Sequence, residues 1–220
     1  MFAILFAFSN CFAPNARDNS AFIPTAVPPQ TAIISCCKGN ASETALSAFS
    51  LNWATNILST ILYIDNIVIA SSTGKSALKL YDAIDGDAEI INVTHHSGFK
   101  EENTLDISEE MLDELGEKGI VTFVGCHAFS GANRGVTNKY GGYAPLDIVS
   151  DTLRMFSHGV KVACEISIMA ADAGLIPVGE EIIAIGGRGS GVDTAVILTP
   201  VNAKDLFNLK IHEIIAMPRD

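Results

Sequence analysis

The sequence predicts an α/β protein whose mostly parallel sheet is covered by helices on both faces. Three observations carry that prediction. From residue 65 to 199, apolar β-branched runs alternate with segments of helical period, the pattern of successive strand–helix units. Those runs end abruptly in small, hydroxyl, His or Gly residues: SSTG (71–74), THHSG (94–98), CHAFSG (126–131) and GGRGSG (186–191). The composition is that of a globular chain, 220 residues with 48% hydrophobic and 18% charged side chains, enough to bury a substantial single core.

Residues 1–42 are rich in Pro, Ser, Asn and Ala, and Pro24, Pro28 and Pro29 block regular structure. They read as an irregular, atypical N-terminal segment ahead of a single α/β domain over 43–220. Phe2 to Phe8 is apolar, but no Lys or Arg precedes it, so it reads as a loosely docked terminus rather than a signal sequence. Thr44 to Ile64 carries no charge and has the length of a membrane span. Its Ser, Thr and Asn content, and the helical spacing of Leu46, Phe49, Trp53, Ile57, Ile61 and Ile64, predict an amphipathic core helix over 43–60 instead.

Ile67, Val68 and Ile69 predict a strand over 66–71, and Ala77, Leu78, Tyr81 and Ile84 a helix over 74–84. A strand over 88–94 leads to a helix over 107–118, which Ser108 caps and whose dipole suits Glu109 and Glu110. A strand over 119–124 precedes a long glycine-containing loop, 125–143. Pro145 opens a helix over 145–157. A second helix, 159–174, ends at Gly174 before Pro177. Strands 181–186 and 194–199 flank the GGRGSG turn. A last apolar run, Ile211 to Met217, predicts an edge strand that would allow self-association into a homo-oligomer.

The formal net charge is −11, and the four charged residues before 65 (Arg17, Asp18, Lys38, Glu43) cancel. So acidic a chain repels nucleic acid and anionic membrane surfaces, which excludes both as partners. A phosphorylated ligand would need a local positive patch, for which Lys75, Arg134, Lys139, Arg154 and Arg188 are the candidates. The five cysteines (Cys11, Cys36, Cys37, Cys126, Cys164) are odd in number and form no CxxC. A disulfide scaffold and a zinc ribbon are therefore not supported, and a reducing, cytoplasmic location is expected.

Four strand ends carry chemistry, and in an open parallel sheet ligands bind beyond the carboxyl ends of the strands. At Ser72-Thr73-Gly74-Lys75-Ser76, unpaired amides and a partial positive charge at a helix start would receive a phosphate; the plain alternative is an N-cap and first turn. The full P-loop pattern fails, because Ile69 stands where its first glycine belongs. Thr94-His95-His96 offers two imidazoles that alternate across a strand, which disfavours chelation of one metal and favours ligand contact by one of them; no metal site is expected. Near Ser130-Gly131, Cys126 reads as a buried thiol, and Arg134 is the first candidate partner for phosphate or carboxylate. Gly187, Arg188, Gly189 and Gly191 do not form a dinucleotide fingerprint but permit close backbone approach. Asp193 and Thr194 would bind a ribityl or ribose hydroxyl, or cap the turn. Met155, Phe156, Ile166, Ile168 and Met169 read as core, and Glu165 and Asp172 as solvated or hydrogen-bonded groups on a helix edge.

The stretch IASSTGKSALKLYDAI resembles the C-terminal α/β domain of pyruvate kinase. THHSGF (94–99), HAFSGANRG (127–135), NKYGG (138–142), DTLRMFSHGVKV (151–162), EISIMAADAGLIP (165–177), AIGGRGSGVDTAVIL (184–198) and KIHEIIAMPR (210–219) are similar to small stand-alone archaeal and bacterial proteins related to that domain. The resemblance covers about 65–220. It implies a three-layer α/β/α sandwich, a bound flavin mononucleotide (FMN) in some members, and ligand contacts at the same four strand ends, with no established reaction. The N-terminal region departs from the family pattern, being longer, almost uncharged and interrupted by Pro. Pyruvate kinase activity is not implied, because that chemistry needs a (β/α)₈ barrel of roughly 250 residues. The leading expectation is a binding protein for a phosphorylated nucleotide. The alternatives are a flavin- or phosphate-dependent enzyme in which His95, His96 and His127 act as acid–base groups, and a non-catalytic module that senses a sugar phosphate.

Overall fold

The computed structural model describes residues 64–84 and 88–219. The irregular segment expected over 1–42 and the helix expected over 43–60 lie outside the described residues. Strands β1 (Asn66–Ala70), β2 (Glu89–His95), β3 (Val121–Gly125), β4 (Ile182–Gly186), β5 (Thr194–Thr199) and β6 (Lys210–Ala216) form one sheet in the order β3-β2-β1-β4-β5-β6. The β3-β2-β1-β4 portion is parallel, and β5 and β6 add antiparallel to it. The helices are α1 (Lys75–Ile84), α2 (Glu109–Glu117), α3 (Gly131–Tyr140), α4 (Pro145–Arg154) and α5 (His158–Asp172).

The period-2 alternation of each strand divides the core into two layers. Ile67, Ile69, Ile183, Ile185, Ala195 and Ile197 meet Ala77, Leu80 and Ile84 of α1 and Leu115 of α2. Val68, Ile91, Val93, Ile182, Ala184, Val196 and Leu198 meet Val160, Ala163, Cys164, Ile168 and Ala171 of α5. Each buried Ile or Leu contributes about 1.5–3 kcal/mol relative to exposure. The result is the expected three-layer α/β/α sandwich. Helix α5 is buried almost all round, as a helix with apolar residues on every side must be. Among the described residues no helix is long and apolar enough to cross a membrane.

The positions of the strands set the site. The chain steps from β1 to β2 to β3 in one direction, then places β4 on the other side of β1. The topological switch point, where ligands enter such sheets, therefore lies between β1 and β4.

Several expectations are corrected. The long loop expected over 125–143 contains α3, a helix that buries no residue and so shows no apolar period. Helix 145–157 stops at Arg154, because Ser157 caps the next helix by accepting from the Val160 amide at 3.0 Å. Met155 and Phe156 fall in that link and are exposed, at 82% and 55%, whereas Ile166, Ile168 and Met169 are core. Cys126 is exposed, just past the end of β3. Asp172 is exposed as expected and accepts from the Ala203 amide at 3.1 Å. Of the two readings of Glu165, the hydrogen-bonded one holds, but in the core rather than on a helix edge: it is 1% exposed and accepts from the Phe129 amide at 2.9 Å.

Candidate functional site

A cleft of about 280 Å³ opens at the carboxyl ends of β1, β2 and β4, over the N-terminal half of α5. Its inner end is the turn after β1. There Ser71 and Ser72 line the cleft, and Thr94 Oγ1 at the end of β2 donates to the Ser72 carbonyl at 2.8 Å. Two backbone amides of the α1 start are already committed: Gly74 N–H donates to the Ser71 carbonyl at 3.3 Å, and Ser76 N–H to Ser71 Oγ at 3.1 Å. Thr73, Gly74, Lys75 and Ser76 are not part of the lining. Gly74 faces α2 instead, where a Cβ would come within 2.5 Å of Met111 Cγ.

The floor is made by α5. Lys161 and Glu165, one turn apart, form a buried ion pair, 5% and 1% exposed. Glu165 Oε1 also accepts from the Phe129 amide at 2.9 Å, and the Lys161 ammonium lies 5.6 Å from the Phe129 ring centre. The cation is thus held at the cleft surface by groups from two segments. Arg134 of α3, Arg154 of α4 and His158 of α5 complete the wall. Among the described residues the Arg134 guanidinium has no partner, while Arg154 pairs with exposed Asp151 at 2.7 Å. Burial, then the charges of Arg154, Lys161 and Arg188, hold the His158 pKa below its ordinary value against the opposing pull of Asp193.

The outer end is aromatic. The His95 ring lies 3.9 Å from the Phe99 ring and 5.2 Å from His127, centre to centre. Asp106 Oδ2 is 2.5 Å from His95 Nδ1, and Asp106 Oδ1 is 3.2 Å from Lys100 Nζ. Desolvation raises the Asp106 pKa, but hydrogen bonds and charge from His95 and Lys100 more than offset it, so the carboxyl titrates below its usual range. Burial lowers the His127 pKa, with His95, Lys161 and His96 adding to the effect and Glu165 opposing it.

Of the residues singled out in the sequence, the structure gathers Ser72, Thr94, His95, Ser130, Arg134, Gly187, Gly189 and Gly191 around this cleft. His96, Gly131, Arg188, Asp193 and Thr194 stand outside its lining. The last two have an anchoring role: Thr194 Oγ1 donates to Asp193 Oδ1 at 2.7 Å and lies 3.2 Å from Ser157 Oγ, the α5 cap. Sequence reasoning missed Lys161, His158, Phe99 and Asp106 as site residues. The i, i+4 spacing of Lys161 and Glu165 inside an apolar helix was the available signal; nothing local marks Asp106. Among the described residues no group of three or more His, Cys, Asp or Glu is placed to hold a metal ion.

The family described as the pyruvate kinase alpha/beta domain matches residues 51–198. The chain belongs to the pyruvate kinase alpha/beta domain family. The match spans α1 to α5 and the strands through β5, so every segment of the cleft lies within the family's domain.

Proposed function

We propose that the cleft binds a phosphorylated small molecule. The observation that carries this reading is the convergence of Arg134, whose guanidinium has no partner among the described residues, with Arg154 and His158 on one cleft at the switch point of a chain whose net charge is −11. Arginine forks suit a phosphate. Phe99 and the His127 ring, 5.1 Å apart centre to centre, offer a stacking surface for a heterocycle. Flavin mononucleotide fits both features. Its phosphate would be held by Arg134, Arg154 and His158, its ring would meet Phe99, and it would supply redox chemistry when bound. The free thiols Cys126 and Cys164 support a reducing, cytoplasmic setting, and the exposed edge strand β6 supports pairing with a second copy. The carboxylate-held His95 favours a second reading, in which the same cleft is catalytic.

The test is the visible spectrum of the purified protein before and after addition of flavin mononucleotide and gel filtration. Retained flavin bands, lost in Arg134→Ala, support the reading. A protein that retains no flavin but binds a sugar phosphate moves the ligand to that class. Binding of neither, in a folded protein, rejects it.

A further inference from the structure

We propose that His95 is a nucleophile that accepts the phosphoryl group of a ligand bound in the cleft, forming a phosphohistidine on Nε2. The proposal rests on the phosphate-binding reading above and adds a covalent step to it. Four observations single out this histidine. The Asp106 carboxylate, 8% exposed at its side chain, is 2.5 Å from His95 Nδ1. An ionised carboxylate only accepts hydrogen bonds, so Nδ1 carries the hydrogen, and whenever the ring is neutral its lone pair sits on Nε2. Nε2 has no partner among the described residues, and the ring lines the cleft. Thr94, the preceding residue, is bonded to the Ser72 carbonyl, which places His95 beside the turn after β1, in the same cleft as Arg134 and Arg154.

The other histidines lack this arrangement. His96 Nδ1 contacts the Ser97 carbonyl at 2.7 Å on the exposed side. His127 has no hydrogen-bonded carboxylate among the described residues. His158 stands among Arg154, Lys161 and Arg188 and suits holding an anion rather than attacking one.

In the step, the Nε2 lone pair attacks phosphorus in line. The bond from phosphorus to the leaving oxygen breaks with its electron pair, and that oxygen takes a proton from water. The new bond is P–N, and the ring becomes an imidazolium whose Nδ1 proton stays shared with Asp106, where the carboxylate offsets the charge. Arg134 and Arg154, which line the same cleft, would stabilise the charge that spreads over the equatorial oxygens. The substrate class is a phosphate monoester or anhydride small enough to bring its phosphate into about 280 Å³. His95 is the catalytic residue, and Asp106 is a positioning residue that acts through it.

The experiment uses the full chain and acetyl phosphate, a small phosphoryl donor of the anhydride class. Intact mass, 31P NMR and peptide mapping read the adduct, and binding of inorganic phosphate is measured in parallel by thermal shift. The expected result is one acid-labile, base-stable phosphoryl group on His95, absent in His95→Gln. Asp106→Asn should slow labelling by about tenfold or more, a fraction of what a misplaced tautomer costs, with phosphate binding retained. Asp106→Glu should restore part of the rate. Phosphate binding without label on His95, or label on His127 or His158 instead, overturns the proposal and leaves the binding reading standing. Failure of the folded wild type to bind phosphate at all rejects the reading beneath it.

Discussion

Lys161 and Glu165 sit one turn apart on α5 and neutralise each other in the floor of the cleft, with Glu165 also satisfying the Phe129 amide. Removing one partner of a buried pair strands the other charge. Glu165→Ala should therefore cost about 3–5 kcal/mol, read as a lower urea midpoint. Glu165→Gln should cost less, because its carbonyl still accepts from Phe129. The double variant Lys161→Met/Glu165→Leu should regain most of the loss, since well-packed apolar replacements of such pairs are often neutral. If Glu165→Ala unfolds at the wild-type midpoint, the pair has no structural weight and its place is owed to the ligand alone.

Gly74 and Met111 define a second relationship. At φ +81° Gly74 occupies backbone space that favours glycine, and a Cβ would meet the Met111 side chain at 2.5 Å. Gly74→Ala should destabilise by about 1–3 kcal/mol. Adding Met111→Ala should relieve the steric share and leave the backbone share. The cycle is measured by denaturant unfolding. Full additivity of the two substitutions would show that the side chains do not meet. Phosphate binding by the folded Gly74→Ala protein should stay near wild type, because Gly74 lies outside the cleft lining.

The fold was legible wherever burial writes a period. The strands read off Ile67–Ile69, Ile182–Ile185 and Ala195–Leu198, and the helices capped by Ser108 and opened by Pro145, appear where their patterns put them. Helix α3 was illegible because it buries nothing; its stability rests on polar ties such as Asn133 Nδ2 to Asp147 Oδ1 at 3.3 Å. The site was half legible for a similar reason. Residues at strand ends announce themselves by interrupting an apolar run, as Ser72, Thr94 and His95 do. Lys161 and Glu165 are hidden inside a run, and Asp106 meets His95 only through the fold of the 96–108 loop.

Cys126 and Cys164 should differ sharply towards alkylation. The thiolate is the reactive form. Burial pushes the Cys164 thiol up to about 12, while Cys126 is exposed. Brief treatment of the native protein with iodoacetamide at neutral pH, followed by peptide mapping, should modify Cys126 and leave Cys164 intact until the protein is unfolded. Equal labelling of both in the native state would show that α5 does not hold Cys164 in the core.

Stability should also depend on pH through His127 and His158. Both have folded-state pKa values below the ordinary 6.5, set first by burial. Between the lowered value and 6.5 the unfolded chain binds more protons than the folded one, so stability rises with pH across that window. The contribution is fully present above 6.5 and is lost as pH falls through the folded values. The groups facing His127 are Glu165, Lys161, His95 and His96; those facing His158 are Arg154, Lys161, Arg188 and Asp193. Urea midpoints taken from about pH 8 down to about pH 5 should therefore decline, and the decline should be shallower in His127→Gln. Inorganic phosphate should flatten it further, because an anion in the cleft stabilises the protonated form of His158. A wild-type midpoint that stays level across that range would show that neither imidazole is desolvated in the folded protein.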